Sequence, residues 1–151
     1  MLSAKNKNII IVISEFNSEI IERLLEGATK AYSHHGGIGK HLQIFRVPGA
    51  FEIPGTIQFI LKNGKPDAVV AIGSVIRGET PHFDFVAGES SRGISEISRQ
   101  VDIPIINGIL TTDNLKQAMK RSNPNGQNKG WDAMEAALQT LSVYKDIQAI
   151  S

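Results

Sequence analysis

Runs of apolar residues alternate with segments of helical periodicity along the whole chain. Four short apolar runs, rich in β-branched residues, have the length and composition of buried strands. They are NIIIVIS at 8–14, LQIFRV at 42–47, DAVVAIG at 67–73 and IPIINGIL at 103–110. After each run, apolar residues recur every three or four positions, as on one face of a helix. The predicted helices cover 18–32, 54–64, 83–100, 113–121 and 131–145.

This order of elements predicts an α/β fold with a parallel sheet. Strands that alternate with helices form such a sheet, with helices on both faces and right-handed crossovers. The length of 151 residues fits one domain, so we expect a single domain over 1–151. Parallel sheets bind ligands outside the carboxyl ends of their strands. Four segments therefore need attention: SEFN at 14–17, VPGAFE at 47–52, SVIRGETPH at 74–82 and LTTDN at 110–114.

Composition narrows the function classes. The net charge is +1, which gives no electrostatic reason to expect nucleic acid or a membrane surface as a partner. The chain has no cysteine, which excludes disulfides and thiolate chemistry and fits the cytosol. No His, Asp and Glu grouping has metal-ligand spacing, so we expect no metal. The apolar run near the start is too short for a signal peptide or a membrane span.

The segment RGETPH at 77–82 carries the most chemistry. Main-chain N–H groups at the start of a helix, with a glycine for close approach, bind anions, and Thr80 adds a hydroxyl. The glycine-lysine signature of a Walker loop is absent. An imidazole titrates near pH ~6.5, so His82 suits proton transfer. A histidine alone in a loop is more often structural, and both interpretations of His82 stay open here.

Other candidates also have two interpretations. Phe16 follows the first strand, where an aromatic residue either packs against the next helix or offers a platform for stacking. VPGAFEIP at 47–54 is either a plain strand-to-helix turn or a rigid loop that binds a ring or a polyol. Arg121 and Lys129 either form a solvated basic surface or bind an anion. Arg121 lies about 12 Å along its helix from the strand end, so for catalysis it suits a neighbouring subunit's site.

Five blocks in order resemble the lumazine synthase family of riboflavin biosynthesis. The blocks are FN at 16–17, VPGAFEIP at 47–54, AIGSVIRGETPHFDFVAGES at 71–90, NGILTTDNLKQAMKR at 107–121 and NKGWDAMEAAL at 128–138. The resemblance implies a flavodoxin-like three-layer α/β/α sandwich around a four-stranded parallel sheet. It also implies a transferase that condenses 5-amino-6-(D-ribitylamino)uracil with 3,4-dihydroxy-2-butanone 4-phosphate. Phosphate and water leave, and no cofactor takes part.

The resemblance also assigns roles to matching positions. Phe16 would stack on the pyrimidine ring, and Asn107 takes a position that is often aromatic in this family. His82 would transfer protons, and Lys129 would reach substrate oxygens. The remaining roles fall to three groups: Ala50, Phe51 and Glu52 on the ribityl chain, Ser74, Val75 and Ile76 on the uracil edge, and Glu79, Thr80 and Arg121 on the phosphate.

The resemblance implies a cytoplasmic homo-oligomer with small-molecule substrates and a functional link to riboflavin synthase. We expect a pentamer whose sites are shared between subunits, rather than a 60-mer, because SNPNGQ at 122–127 departs from the loop of shell-forming members. One rival is a non-catalytic shell protein that binds a flavin or lumazine. A flavodoxin-type electron carrier is disfavoured, because SEFNSEI at 14–20 lacks the Ser/Thr/Gly-rich character of an FMN phosphate loop.

Overall fold

The computed structural model describes residues 2–150, in which four strands alternate with helices. The strands are β1 (Ile9–Ser14), β2 (Leu42–Val47), β3 (Ala68–Ile76) and β4 (Ile105–Thr112). The α-helices are α1 (Ser18–His34), α2 (Ile53–Asn63), α3 (His82–Ser98), α4 (Leu115–Arg121) and α5 (Lys129–Gln148). Short 3-10 turns at Gly39–His41 and Ala50–Glu52 precede β2 and α2.

The four strands form one parallel sheet in the order β2-β1-β3-β4. The chain first moves outward from β1 to β2, then crosses back so that β3 lies on the other side of β1. The loops after β1 and β3 therefore leave the sheet in opposite directions, and a crevice opens between them. This arrangement confirms the predicted flavodoxin-like α/β fold and locates the ligand site expected for it.

Side chains that alternate along the strands supply two separate cores. One face of the sheet packs on α1, α4 and α5, and the other packs on α2 and α3. The central strand β1 shows the alternation, because Ile9, Ile11 and Ile13 belong to the first core. Ile10 and Val12 belong to the second. The sheet is thus the middle of three layers, as predicted.

Strand β2 differs from the expectation that all strands are covered on both faces. It is an edge strand, and most of its side chains are exposed, Ile44 and Phe45 among them. Its one charged side chain, Arg46, pairs with Glu22 of α1 through an Nη1–Oε1 distance of 2.6 Å. Within residues 2–150, no further strand pairs with the outer edge of β2.

Several predicted boundaries were wrong, and two of these concern predicted site residues. Strand β3 was expected to end at Gly73, but it continues to Ile76 because it keeps pairing with β4 as far as Thr112. Helix α5 begins at Lys129 rather than 131, since the side chain of Asn128 caps it by accepting the N–H of Trp131 at 3.0 Å. Both changes bring predicted site residues into regular structure.

Candidate active site

A pocket of about 670 Å³ opens at the carboxyl ends of β1 and β3. Its walls come from the segments that follow β1, β2 and β3 and from the first turns of α3. We call it the aromatic pocket, because four phenylalanines line it. The lining residues are Phe16, Asn17, Pro48, Gly49, Ala50, Phe51, Glu52, Ser74, Val75, Ile76, Gly78, Thr80, His82, Phe83, Phe85 and Val86.

The segment after β1 presents Phe16 as an open platform. Asn17 adopts a left-handed backbone with φ of 66°, and its Nδ2 donates to the carbonyl of Ser74 at 2.9 Å. The N–H of Phe16 donates to the carbonyl of Pro48 at 3.2 Å, so the loop is tied to both neighbouring segments. The Phe16 side chain stays 73% exposed. It is therefore not packed against α1, and its ring face is free for a ligand.

The segment after β2 forms a compact turn rather than an open loop. Ala50–Glu52 is one 3-10 turn that leads directly into α2, and the hydroxyl of Thr56 donates to the carbonyl of Glu52 at 2.8 Å. Ala50 is buried, whereas the side chains of Phe51 and Glu52 are exposed beside the pocket. This turn offers an aromatic ring and a carboxylate on a rigid support.

The segment between β3 and α3 has the features of an anion site. At its start, the N–H of Arg77 donates to the carbonyl of Thr112 at 2.9 Å. At the beginning of α3, the N–H of Asp84 donates to the carbonyl of Pro81 at 3.0 Å. The N–H groups at 78–80, which lie between them, have no acceptor within residues 2–150. Free N–H groups ahead of a helix attract anions. His82 is the first residue of α3 and lines the same pocket as Gly78 and Thr80.

Arg77 is the nearest cation in sequence, but its charge is already engaged. Its Nε donates to Asp113 at 3.0 Å, and its Nη1 lies 3.5 Å from a carboxylate oxygen of Asp84. The guanidinium carbon also lies 4.5 Å from the ring centre of Phe83. Arg77 thus ties the segment after β3 to the segment after β4. The lining of the aromatic pocket contains no lysine or arginine.

A second cavity, of about 310 Å³, lies beside β4 and holds two cations. We call it the cationic cavity. It is lined by Ile109, Leu110, Thr111, Arg121, Gln127, Lys129 and Asp132. Arg121 is the last residue of α4 and Lys129 the first of α5, so two helix termini meet there. The two cavities share no lining residue.

The predicted site residues therefore fall into two places. Nine line the aromatic pocket: Phe16, Ala50, Phe51, Glu52, Ser74, Val75, Ile76, Thr80 and His82. Arg121 and Lys129 lie in the cationic cavity, and Glu79 is in the segment beside Thr80 without lining the pocket. Asn107 lines neither cavity: its Nδ2 donates to the hydroxyl of Ser91 at 3.2 Å and its Oδ1 accepts the N–H of Ile109 at 3.0 Å.

Several lining residues were not singled out from the sequence. Phe83 and Phe85 face the pocket from α3, and Asp132 faces the cationic cavity from α5. The density of phenylalanine in PHFDF at 81–85, directly after a strand end, was an available signal for the first two. Asn17 is a fourth such residue, and its signal is that asparagine tolerates the left-handed backbone that this turn requires.

Together, the topology and the crevice define a flavodoxin-like α/β protein with an aromatic-lined pocket at the switch point of its sheet. A family profile described as 6,7-dimethyl-8-ribityllumazine synthase matches residues 6–145. A protein with that name from Campylobacter hominis is 43% identical to this chain, over 98% of this chain and 94% of the relative. Another, from Chloroherpeton thalassium, is 44% identical to this chain, over 97% of this chain and 94% of the relative. A third, from Nautilia profundicola, is 43% identical over 94% of this chain and 92% of the relative. The chain belongs to the 6,7-dimethyl-8-ribityllumazine synthase family.

A de novo designed Rossmann fold protein overlaps 74% of this chain and 90% of its own, with a TM-score of 0.42 and 16% identity. Within residues 2–150, no three His, Asp or Glu side chains are grouped as metal ligands would be. No helix in the same part of the chain has the length and apolar character needed to cross a bilayer.

Proposed function

We propose that this protein condenses 5-amino-6-(D-ribitylamino)uracil with 3,4-dihydroxy-2-butanone 4-phosphate to give 6,7-dimethyl-8-ribityllumazine, phosphate and water. Family membership supports the reaction. The observation that carries the proposal is that an aromatic pocket with a free ring platform adjoins free N–H groups and a histidine. Such a site suits a flat heterocycle, a phosphate and a proton transfer side by side.

The aromatic pocket accounts for the uracil and its ribityl chain. Phe16 stacks on the pyrimidine ring with its exposed face. The turn at Ala50–Glu52 binds the ribityl chain with main-chain groups and a carboxylate. Ser74, Val75 and Ile76 bond the edge of the uracil, mainly through the main chain at the end of β3.

The segment after β3 accounts for the phosphate and the protons. The amine attacks the ketone to form a carbinolamine, which loses water to give an imine. Phosphate then leaves by elimination, and ring closure expels a second water. The N–H groups at 78–80 and the hydroxyl of Thr80 stabilise the departing phosphate, while His82 moves protons. Holding the amine and the ketone in contact supplies much of the rate.

The phosphate also requires a cation that the aromatic pocket does not have. Arg77 is engaged by two carboxylates, and Arg121 and Lys129 lie in a separate cavity beside β4. A second copy of the chain resolves this, if its cationic cavity faces the aromatic pocket of the first. Such a head-to-tail contact closes into a ring, and we propose the homopentamer that the family resemblance implies.

Exposed aromatic side chains support an assembly on this face. Phe51, Phe59 and Phe85 are each more than half exposed, and Phe51 and Phe59 line a shallow groove with Gly55 and Thr56. Apolar surface of this extent beside a site is typical of a subunit interface. Asn107 lies exposed on β4, on the side of the molecule that would meet the neighbour.

The activity is tested by mixing both substrates with the purified protein and following the absorbance of the lumazine product. We expect product only when both substrates are present. Binding of lumazine or flavin without turnover would favour the non-catalytic shell protein instead. A purified protein that carries FMN and transfers electrons would also contradict the proposal.

The shared site is tested by complementation between two variants of reduced activity. His82→Ala and Arg121→Ala are dissociated, mixed in equal amounts and reassembled, at a butanone phosphate concentration far below the raised KM of Arg121→Ala. With random mixing, about one site in four draws a good His82 from one chain and a good Arg121 from the next. No recovery in properly mixed rings would contradict a shared site.

Three finer properties belong to the same proposal. We infer a free pentamer rather than a 60-mer, because SNPNGQ at 122–127 forms a short, closed loop between α4 and α5. A cytoplasmic location is supported by the absence of cysteine. The lumazine product would be consumed by riboflavin synthase. The native mass of the purified protein tests the pentamer, and a coupled assay with riboflavin synthase tests the fate of the product.

A further inference from the structure

The segment between Arg121 and Lys129 is held by buried polar side chains that neither cavity uses. Ser122 is fully buried and Asn128 is 4% exposed, although both are polar and both lie in a connecting loop. They face each other across an isolated antiparallel bridge, and the N–H of Asn123 donates to the carbonyl of Gln127 at 3.0 Å. Burying such groups is favourable only where their hydrogen bonds are made.

Those hydrogen bonds converge on one residue of α1. The Nε of Arg23 donates to the hydroxyl of Ser122 at 3.1 Å, and its Nη2 donates to the carbonyl of Met119 at 2.9 Å. The Nδ2 of Asn128 donates back to the main-chain carbonyl of Arg23 at 3.1 Å. Arg23 is thus bonded to the residue after Arg121 and to the residue before Lys129. We call Arg23, Ser122 and Asn128 the brace.

The sequence permits this contact by omitting two side chains. A methyl group at Gly27 would overlap the side chain of Asn128, and one at Gly130 would overlap the carbonyl of Leu24. Helices α1 and α5 therefore touch through their main chains at the brace. Because both elements belong to the first core, their separation cannot vary without disturbing that core.

From this arrangement we propose that the side chain of Arg23 is a positioning group for the phosphate-binding Arg121, which rests on the function proposed above. The side chain lines neither cavity, so it acts through Met119 and Ser122, which lie on either side of Arg121 in the chain. Its guanidinium satisfies a carbonyl at the carboxyl end of α4, where a positive charge is favourable. That bond fixes the helix turn from which Arg121 projects. The Asn128 bond, which helps to fix the first turn of α5, accepts at the main-chain carbonyl of residue 23 and is kept whatever side chain stands there.

The planar fork of arginine explains the residue type. Two different nitrogens of Arg23 donate to two different acceptors at the same time. A lysine ammonium at the end of a flexible stem would reach one acceptor and hold it less rigidly. Arg23→Lys should therefore retain part of the effect, and Arg23→Met should lose it.

The experiment compares steady-state kinetics of Arg23→Met, Arg23→Lys and Ser122→Ala with the wild type. We expect Arg23→Met to raise the KM for the butanone phosphate by about 10-fold, because small misplacement of a binding group has large effects. In Arg23→Met, kcat and the KM for the ribitylaminouracil should change by less than about 2-fold. Arg23→Lys and Ser122→Ala should have butanone phosphate KM values between those of the wild type and Arg23→Met. The matched control is Arg99→Met, whose Nη1 donates to the hydroxyl of Ser95 at 2.8 Å and which lines neither cavity.

A double-variant cycle separates positioning from a general loss of stability. If Arg23 acts through Arg121, Arg23→Met should add less than about 2-fold to the KM of Arg121→Ala. Equal effects in both backgrounds, or a fall in kcat with both KM values unchanged, would overturn the proposal. Should Arg23→Met fail to assemble, the same cycle with Ser122→Ala decides it by the same criterion.

A second readout does not depend on the reaction. Arg23→Met should speed amide hydrogen exchange at Ser122 and Asn123, whose N–H groups donate next to the contacts of the Arg23 side chain. Unchanged exchange at both amides would overturn the brace. A wild-type protein that makes no lumazine would contradict the proposed function alone, and the exchange measurement would still report on the brace.

Discussion

The aromatic pocket and the cationic cavity lie on one chain but differ in their lining residues. The pocket is mainly apolar, is built from the segments after three strands, and offers Glu52 and His82 as its titratable groups. The cavity is about half as large, is built where α4 ends and α5 begins, and contains Arg121, Lys129 and Asp132. Under the proposed function, recognition of the ring and recognition of the phosphate are thus assigned to separate regions of the chain.

The most severe change that we predict removes the cationic cavity together with the fold around it. In Gly130→Ala, the new methyl group would overlap the carbonyl of Leu24, which is main chain and cannot rotate away. We expect a loss of more than about 3 kcal/mol in the free energy of unfolding, measured by denaturant titration. Gly88→Ala in α3, where nothing lies within 4 Å of the new atom, is the control and should not be destabilised. Similar stabilities would contradict a close contact of α1 with α5.

The next largest effect concerns the chemistry in the aromatic pocket. His82→Ala should lower kcat by at most about 100-fold, because orientation of the two substrates supplies much of the rate. Both KM values should change little, since the ring platform and the cations remain. Initial rates at saturating substrate measure this, and a loss beyond about 10⁴-fold in a folded variant would give His82 a larger role.

A substitution in the cationic cavity should act on one substrate alone. Arg121→Ala should raise the KM for the butanone phosphate by about 10- to 100-fold, the cost of losing a charge-assisted contact to phosphate. The KM for the ribitylaminouracil should stay within about 2-fold. If the uracil KM rises instead, Arg121 serves the other ligand and the division between the two regions is wrong.

The reciprocal change lies in the aromatic pocket. Phe16→Ala should raise the KM for the ribitylaminouracil by about 3- to 10-fold through loss of stacking. Because Phe16 is exposed, stability should change little. Phe16→Tyr keeps the ring and should behave like the wild type. An effect of Phe16→Ala on the butanone phosphate KM alone would remove the distinction between the two halves.

The smallest effect is expected far from both regions. Tyr32 is buried, and its hydroxyl donates to the carbonyl of Lys7 at 2.7 Å. Burial, and to a lesser extent the charge of Asp67, raises the pKa of Tyr32. Its contribution to stability is therefore complete below pH about 10 and is lost as the pH rises through the higher folded-state pKa.

Tyr32→Phe should thus cost about 1 kcal/mol at neutral pH and leave a shallower decline of stability above pH about 10. Thermal unfolding across that range measures it, and both KM values at neutral pH should equal those of the wild type. An identical alkaline decline in the variant would show that Tyr32 does not carry it.

The sequence was most informative where local signals agree with the fold. The β-branched runs around Ile11 and Val70 located their strands, and polar residues directly after strand ends pointed to the site. The predicted end of β3 at Gly73 was wrong, because the polar Ser74 that follows it still pairs with β4. Helical periodicity placed the helices, and the Asn128 cap that starts α5 two residues earlier was missed.

What the sequence did not reveal depends on contacts between distant residues. Arg77 and Asp113 are 36 positions apart in the chain. Their ion pair occupies the one cationic side chain of the segment RGETPH, and the sequence does not indicate this pairing. Asn107 is bonded to Ser91 of α3, which no local pattern indicates. In the sequence, Arg23 has the pattern of an exposed charged residue on a helix. Its contact with Ser122, 99 positions away, is formed only in the folded chain.

The exposed edge strand β2 has a consequence for a newly made chain. Its outer N–H and C=O groups, with Ile44 and Phe45 beside them, form a template to which any other extended segment can add. Arg46 is the one charged side chain of β2 that could oppose pairing with another strand, and its charge is already paired with Glu22. With the proposed pentamer as the assembled form, a free chain therefore faces two second-order reactions, closure of that ring and edge-to-edge aggregation. Yield during refolding should then depend on dilution and temperature more than on the stability of the finished ring.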